Sequence, residues 1–372
     1  MILSVVDFGN KRRLYRIWRE GYMKREDHDL AFMLRYENIA SIDDGCVRIL
    51  DRRVYPNTIR FEVCHSVLDV RNAIKNMVTQ SAGPYTAVGM GMALAARECR
   101  TMNEEETLIH LKEASHLLST ARPTTEKRYS SITESCIPVA LKAKKEGKSP
   151  EEAVKNHVYH LNDLRYKKIK RISEYLCKEI PDNGAVMTQC FGETIVGMMA
   201  RTLKEEGKSV RFFCPETRPY FQGARLTATV LSEMGFHTTV ITDNMPAFVM
   251  KNESIDVFTC AADAITMDGY VVNKVGTLGI AICAKHFGIK TYITGDPDKF
   301  HKSIGEVKIE MRDPKFSLEA MGVKTAKDGV KGYYPAFDIT PPSLITGIVT
   351  DMGIYNPFNL ESYFLDGGEG EY

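Results

Sequence analysis

The stretch "GAVMTQCFGETIVGMMARTLKEEGK", residues 184–208, decides the fold of this 372-residue chain. Its apolar run "AVM" is typical of a buried strand, and "ETIVGMMARTLKEEGK" has the apolar spacing of a helix closed by glycine. Between them lies a lone cysteine, Cys190. A thiol at this position is either one more small buried residue or the working group of an active site.

The same alternation continues towards the C-terminus. The runs "VRFFC", "TTVIT", "IDVFTCAAD" and "KTYIT" predict strands, and helical patterns separate them. This spacing predicts a parallel sheet with helices on both faces. Before it, short strand-like pieces occur up to about residue 65 and helical patterns up to about residue 178. We therefore predict an α/β protein: residues 1–180 form a mainly helical domain with a small sheet, and residues 181–372 form a Rossmann-like domain.

Composition excludes several classes of function. Lys and Arg total 49 against 48 Asp and Glu, so the chain lacks the basic excess of a nucleic-acid partner. No apolar stretch approaches the ~20 residues that span a bilayer, and "MILSVVDFGNKRRLYR" has the wrong charge order for a secretory signal. The nine cysteines are scattered singly, without disulfide or zinc spacing. We expect a cytoplasmic protein with no membrane partner and no nucleic-acid partner.

Two candidate reactive groups follow predicted strands. In open parallel sheets, ligands bind beyond the carboxyl ends of the strands, where Cys190 and Asp263 are expected. A helix N-terminus after Cys190 favours the thiolate, and burial of Asp263 would raise the pKa of its carboxyl. The pair suits acid–base catalysis. A buried cysteine and a helix-capping aspartate remain the alternative interpretation.

Three further segments carry groups that suit an anion such as phosphate. They are "ETRPYFQGARLTA" with Arg218, Gln222 and Arg225, "STARPTTEKR" with Arg122, and "GYVVNKVGT" with Asn273 and Lys274. Neither a G-x-x-x-x-G-K-[ST] loop nor a G-x-G-x-x-G sequence after a strand is present, so the motifs do not indicate a nucleotide.

Together these segments resemble the methylthioribose-1-phosphate isomerases. The most specific blocks are "ETRPYFQGARLTA", "VITDNM", "AADAI", "DGYVVNKVGT" and "PAFDITPP", with "ARPT" in the N-terminal half. The resemblance covers most of the chain. It implies a fold shared with ribose-1,5-bisphosphate isomerase and with regulatory subunits of a translation-initiation exchange factor. It also implies conversion of an aldose 1-phosphate into a ketose 1-phosphate by a homodimer, without a metal or organic cofactor.

Carried over by position, the resemblance makes Cys190 and Asp263 the catalytic pair. Arg122 falls on a phosphate-binding arginine, and Gln222, Asn273 and Lys274 fall on residues that line the sugar-phosphate site. The leading substrate is S-methyl-5-thioribose 1-phosphate. The alternatives are 5-deoxyribose 1-phosphate, ribose 1,5-bisphosphate, or a non-catalytic subunit that senses a sugar phosphate or nucleotide.

The chain departs from the family pattern at several positions. Ser81 in "SAGP" stands where the family has arginine, and Ala264 replaces another arginine after the catalytic aspartate. Phe191, Gly192 and Glu193 replace Asn-Ala-Gly after the cysteine. We therefore expect Ser81 and Phe191 at a remodelled, more apolar substrate site, and Glu193 as an added negative charge near the phosphate.

Overall fold

The computed structural model describes residues 25–122, 126–299 and 301–369. The N-terminal stretch tested above for a secretory signal, and Thr124 of "ARPT", lie outside these residues. The N-terminal half contains a small antiparallel sheet whose strands lie in chain order. These strands are β1 (Ala40–Asp43), β2 (Cys46–Leu50) and β3 (Phe61–Cys64).

Helices make up most of the N-terminal half. They are α1 (Tyr36–Ile39), α2 (Val67–Lys75), α3 (Gly83–Glu98), α4 (Glu104–Ser119), α5 (Glu126–Lys145) and α6 (Pro150–Lys178), with 3-10 turns at Phe32–Leu34 and Cys99–Thr101. Helix α3 is buried along nearly its whole length because its small residues admit close neighbours. A Cβ at Gly89, for example, would lie 2.5 Å from Val158 of α6. The small-residue helix is thus the centre of this half.

The C-terminal half is built on a seven-stranded sheet. The strands of this half are β4 (Ala185–Met187), β5 (Arg211–Pro215), β6 (His237–Ile241), β7 (Val257–Ala261), β8 (Ala264–Ile265), β9 (Val271–Lys274), β10 (Lys290–Thr294), β11 (Glu319–Ala320), β12 (Val323–Lys324), β13 (Phe337–Thr340), β14 (Gly347–Val349) and β15 (Ile354–Tyr355). The large sheet has the order β15-β14-β10-β7-β4-β5-β6. All its neighbours are parallel except β15, which is antiparallel to β14. Strands β8, β9 and β13 form a separate antiparallel sheet beside it.

Helices connect these strands. They are α7 (Thr194–Glu205), α8 (Ala228–Glu233), α9 (Pro246–Asn252), α10 (Thr277–His286), α11 (Lys315–Leu318) and α12 (Glu361–Leu365), with a π-helix at Gly223–Thr227 and 3-10 turns at Ile304–Glu306 and Pro342–Leu344. The predicted α/β fold with a large, mainly parallel sheet is confirmed. Among the described residues, the helices are all too short or too polar to cross a membrane.

The hydrophobic core runs across the expected domain boundary at residue 180. One cluster joins Leu34 and Tyr166 of the N-terminal half to Val186 and Phe212 of the large sheet. Helix α6 packs directly against α7, so the two halves share one core at this point. The boundary itself stays a prediction.

Candidate active site

The centre of the large sheet places two reactive side chains in one crevice. From β4 the chain continues outward through β5 and β6, whereas from β7 it continues in the opposite direction through β10 and β14. Ligands bind where the strand order reverses in this way, outside the carboxyl ends of the two central strands. Cys190 lies three residues beyond β4, and Asp263 lies two residues beyond β7. The charge of Asp263 acts on the Cys190 thiol.

The Cys190 backbone is held from both sides. It adopts a left-handed conformation with φ of 56°, which costs a non-glycine residue about 1–3 kcal/mol. Its N–H donates a hydrogen bond to Thr217 Oγ1 at 3.2 Å, and Thr227 Oγ1 donates to its carbonyl oxygen. Both threonines belong to the "ETRPYFQGARLTA" block. A principal role of that block is therefore to fix the loop that presents the thiol.

The thiol of Cys190 is protonated at neutral pH. Burial raises its pKa to about 11; Lys274 and Arg312 oppose this shift and Asp263 reinforces it. The expectation of a stabilised thiolate is wrong, because α7 begins four residues further on, at Thr194, and loss of water outweighs the helix end. The group is therefore suited to donate a proton.

The Asp263 side chain is exposed to solvent on one side and surrounded by protein on the others. Its side chain is exposed at the crevice, but the surrounding protein removes enough water to raise the pKa of its carboxyl. The positive charges of Lys274, Arg128 and Arg312 oppose that shift. The direction agrees with the sequence-based expectation, and a raised pKa suits a group that exchanges protons.

Lys274 and Asn273 lie side by side on β9, and both are buried. Lys274 Nζ donates to the carbonyl oxygen of Ala336 at 3.0 Å, and burial lowers the pKa of its ammonium group. Its charge acts on both Cys190 and Asp263. Asn273 Nδ2 instead donates to Thr277 Oγ1 at 3.0 Å, so the side chain also braces the start of α10.

Gln222 carries a buried polar atom that lacks a partner among the described residues. It is 7 % exposed, and its Oε1 has no hydrogen-bond partner within the described part of the chain. Such groups are rare and typically bind a ligand or water. The π-helix that follows depends on Gly223, where a Cβ would lie 1.8 Å from the Pro215 carbonyl oxygen. Single-turn π-helices of this kind are frequent at functional sites.

Arg218 and Arg225 bind backbone rather than an open site. Arg218 Nη2 donates to the carbonyl oxygen of Glu319 at 2.9 Å. Arg225 Nη2 donates to the carbonyl oxygens of Arg52 and Tyr55 at 2.6 and 2.7 Å. Both guanidinium groups therefore hold neighbouring segments in place, and the expectation that the two arginines form an anion site stays a prediction.

Arg122 makes similar contacts through Nε and Nη2. Nη2 donates to the carbonyl oxygens of Ile74 and Thr79 at 2.9 and 3.0 Å. Burial lowers the pKa of the guanidinium, and the charges of Arg312 and Glu310 act on it, so Arg122 lies near the same crevice. Its role as a phosphate-binding residue stays a prediction.

The sequence analysis did not identify Arg312, whose charge acts on the groups of the candidate site. Arg312 pairs with Glu310 at 2.9 Å, and its guanidinium lies 5.8 Å from the ring of Tyr220. The charge of Arg312 acts on Cys190, Asp263 and Lys274. Residues 301–336 contain only short helices and strands, so neither helical nor strand periodicity marks this arginine.

Most of the residues that depart from the family pattern lie in the loop after Cys190 or against it, whereas Ala264 lies on β8. Ser81 Oγ donates to the carbonyl oxygen of Phe191 at 3.0 Å. Phe191 itself is buried in the hydrophobic cluster that joins the two halves. It does not line the cavity of about 20 Å³ that adjoins Cys190 and Thr259. Glu193 forms a salt bridge with Arg52 at 2.9 Å, so the expectation of an added negative charge near the phosphate is wrong.

The fold defines a class of α/β proteins with a large, mainly parallel sheet, and Cys190 and Asp263 both lie where its strand order reverses. Comparison with known proteins identifies the family. The chain belongs to the initiation factor 2 subunit family, whose model matches residues 82–357. The resemblance inferred from the motifs is thereby confirmed.

Two relatives of known name are isomerases. A methylthioribose-1-phosphate isomerase of Pseudothermotoga lettingae is 34% identical over 83% of this chain and 92% of its own length. A 5-deoxyribose 1-phosphate isomerase of Clostridium botulinum is 34% identical over 85% of this chain and 95% of its own length. The prediction that the chain is an enzyme of the isomerase class is confirmed at this level.

Two solved structures share the fold. The 5-methylthioribose 1-phosphate isomerase of Pyrococcus horikoshii has a TM-score of 0.77 and 29% identity, covering 88% of this chain and 96% of that one. The delta subunit of translation initiation factor eIF-2B from A. fulgidus has a TM-score of 0.73 and 30% identity, covering 88% and 97%. Enzymes and a translation factor subunit thus share this architecture.

Proposed function

We propose that the protein converts a 5-substituted ribose 1-phosphate into the corresponding ribulose 1-phosphate, with S-methyl-5-thioribose 1-phosphate as its substrate. The observation that carries the proposal is that Cys190 and Asp263 both lie where the strand order reverses, close enough for the charge of Asp263 to act on the thiol. Burial raises the pKa of both groups. The names of the relatives support the same class of substrate.

Protonation states assign the two roles. A phosphate on C1 prevents spontaneous ring opening, so a proton must reach the ring oxygen as its bond to C1 breaks. The Cys190 thiol, with a pKa of about 11, retains its proton at neutral pH and is the proposed donor. Asp263 is the proposed base: it takes up the proton that the sugar releases as hydrogen moves from C2 to C1 and the carbonyl forms at C2. Return of that proton to the Cys190 thiolate restores the starting state.

The proposed substrate contacts are Arg122, Gln222, Asn273 and Lys274. The unpartnered Oε1 of Gln222 and the charge of Lys274 on both reactive groups support two of them. We further propose that residues 181–372 form a Rossmann-like catalytic domain, and that the protein is a cytoplasmic homodimer. The free thiols of the described cysteines suit a reducing compartment.

Two other functions have specific support. Isomerisation of 5-deoxyribose 1-phosphate is supported by the named relative in Clostridium botulinum. A regulatory subunit without activity is supported by the structure from A. fulgidus. The first differs only in the group at C5 of the sugar, whereas the second requires neither Cys190 nor Asp263.

The test is ketose formation from methylthioribose, 5-deoxyribose and ribose 1-phosphates and from ribose 1,5-bisphosphate, with wild type and Asp263→Asn. We expect the methylthio sugar to react fastest and the variant, still folded, to lose turnover. No turnover of any sugar by folded wild type would contradict an isomerase. A parallel reaction in D₂O tests the route, because deuterium at C1 indicates proton transfer, whereas hydride transfer introduces none.

A further inference from the structure

A buried ion pair ties the loop after Cys190 to the N-terminal half of the chain. Arg52 follows β2, and Glu193 directly precedes α7. Arg52 Nη1 and Nη2 donate to the two carboxylate oxygens of Glu193 at 3.0 and 2.9 Å, and both side chains are 0% exposed. A bidentate pair in a dry environment fixes both distance and orientation.

The same carboxylate also binds the backbone of a second segment. Glu193 Oε2 also accepts the backbone N–H of Ala82 at 2.5 Å, and Arg52 Nη1 donates to the carbonyl oxygen of Gln80 at 2.6 Å. One residue away, Ser81 Oγ donates to the carbonyl oxygen of Phe191 at 3.0 Å. Hydrogen bonds therefore join residues 80–82 directly to residues 191–193, and Arg52 binds to both segments.

The loop needs this support because its backbone is strained. Cys190 and Glu193 have φ of 56° and 49°, and Ser81 has φ of 56°. Such conformations in non-glycine residues persist only where surrounding contacts impose them. The threonine contacts described above hold Cys190 itself, and the ion pair holds the other end of the loop.

We propose that the Arg52–Glu193 ion pair is a positioning device that sets the Cys190 thiol against its substrate. The main charges acting on the thiol are those of Lys274, Asp263 and Arg312, so the pair acts through geometry rather than through charge. The inference rests on the proposed isomerase activity for its kinetic consequence. Its structural consequence, restricted access to the Cys190 thiol, does not depend on that activity.

The test is a double-mutant cycle of Arg52→Gln and Glu193→Gln. Two quantities are measured: kcat and KM for the sugar that wild type converts, and the rate of Cys190 alkylation by iodoacetamide in protein without ligand. We expect each single variant to lower kcat by about 10–100-fold with KM nearly unchanged, as for a small misplacement of a catalytic group. Alkylation of Cys190 should become several-fold faster because the loop loosens.

In the double variant no charge is left unpaired, so its kcat should be no lower than that of the worse single variant. The matched control is Tyr55→Phe, which removes the hydrogen bond from Tyr55 Oη to Glu233 at 2.9 Å, another contact between the two halves, without touching the loop. The control should leave both quantities unchanged.

The proposal would be overturned if the two substitutions lowered kcat multiplicatively or changed KM alone. It would also be overturned if Tyr55→Phe changed kcat and the alkylation rate as much as they do. If the single variants do not fold, the double variant decides: wild-type kcat and wild-type alkylation in that protein would contradict a positioning role. If wild type converts no sugar phosphate, the proposed function fails while the alkylation rates still test the ion pair.

Discussion

The proton-donor role of Cys190 predicts an unusual pH dependence for its chemical modification. The thiolate is the form that alkylating reagents attack, so the rate follows the thiolate fraction. Burial of the thiol raises its pKa from an ordinary value of 9.0 to about 11. Alkylation of Cys190 should therefore be slow at neutral pH and should continue to increase well above pH 9.

The magnitude follows from the two pKa values. At pH 8 an ordinary thiol with a pKa of 9.0 is about one-tenth thiolate, whereas Cys190 at about 11 is roughly one-thousandth thiolate. The rate should be about 100-fold below that of a free thiol and should increase about tenfold per pH unit up to pH 10. Because Lys274 lowers the pKa of this thiol, Lys274→Met should slow the reaction further.

The assay is iodoacetamide labelling between pH 7 and 10, with the Cys190 peptide quantified by mass spectrometry and glutathione as the reference thiol. The slope against pH is diagnostic, because limited access lowers every rate equally and leaves the slope unchanged. A plateau below pH 9, or a faster reaction in Lys274→Met, would refute a protonated thiol and assign Cys190 to the thiolate form instead.

Two other substitutions test how the site is built. Gly223→Ala should lower the free energy of unfolding by about 1–3 kcal/mol, because the added Cβ would lie 1.8 Å from the Pro215 carbonyl oxygen. The control is Gly279→Ala, which should not lower it, because no atom lies within 4 Å of that Cβ. Equal denaturation midpoints for the two variants would contradict this prediction. Ser81→Arg places a cation at an exposed position where the family has arginine. A charged hydrogen bond to the phosphate is worth about 1.5–3 kcal/mol, so KM should fall roughly tenfold or more, and the exposed control Ser209→Arg should leave it unchanged.

Local strand and helix patterns are enough to predict where Cys190 and Asp263 lie in the fold. Alternating strands and helices place Cys190 and Asp263 at the ends of parallel strands, and the rule for open sheets then brings those ends to one edge. The predicted strand before Cys190 and the predicted helix after it are both present, although the helix begins only at Thr194. The raised pKa of Asp263 also follows, since an apolar strand precedes it.

Contacts between distant segments are not encoded in such patterns. The sequence does not reveal that Arg218 and Arg225 bind backbone carbonyls, because those partners lie 98 or more residues away. Glu193 looks like an added charge because Arg52, its partner, is 141 positions earlier. Arg312 lies in a segment of short, irregular elements, so its presence at the crevice depends on how that segment packs.

The most direct test of the central claim is conversion of S-methyl-5-thioribose 1-phosphate to its ketose by wild type, Cys190→Ser and Cys283→Ser. Cys283 is a partly buried thiol on α10 and serves as the matched control. We predict turnover by wild type and by Cys283→Ser, and loss of turnover in folded Cys190→Ser. Equal turnover by all three proteins would contradict the assignment of Cys190 as the proton donor.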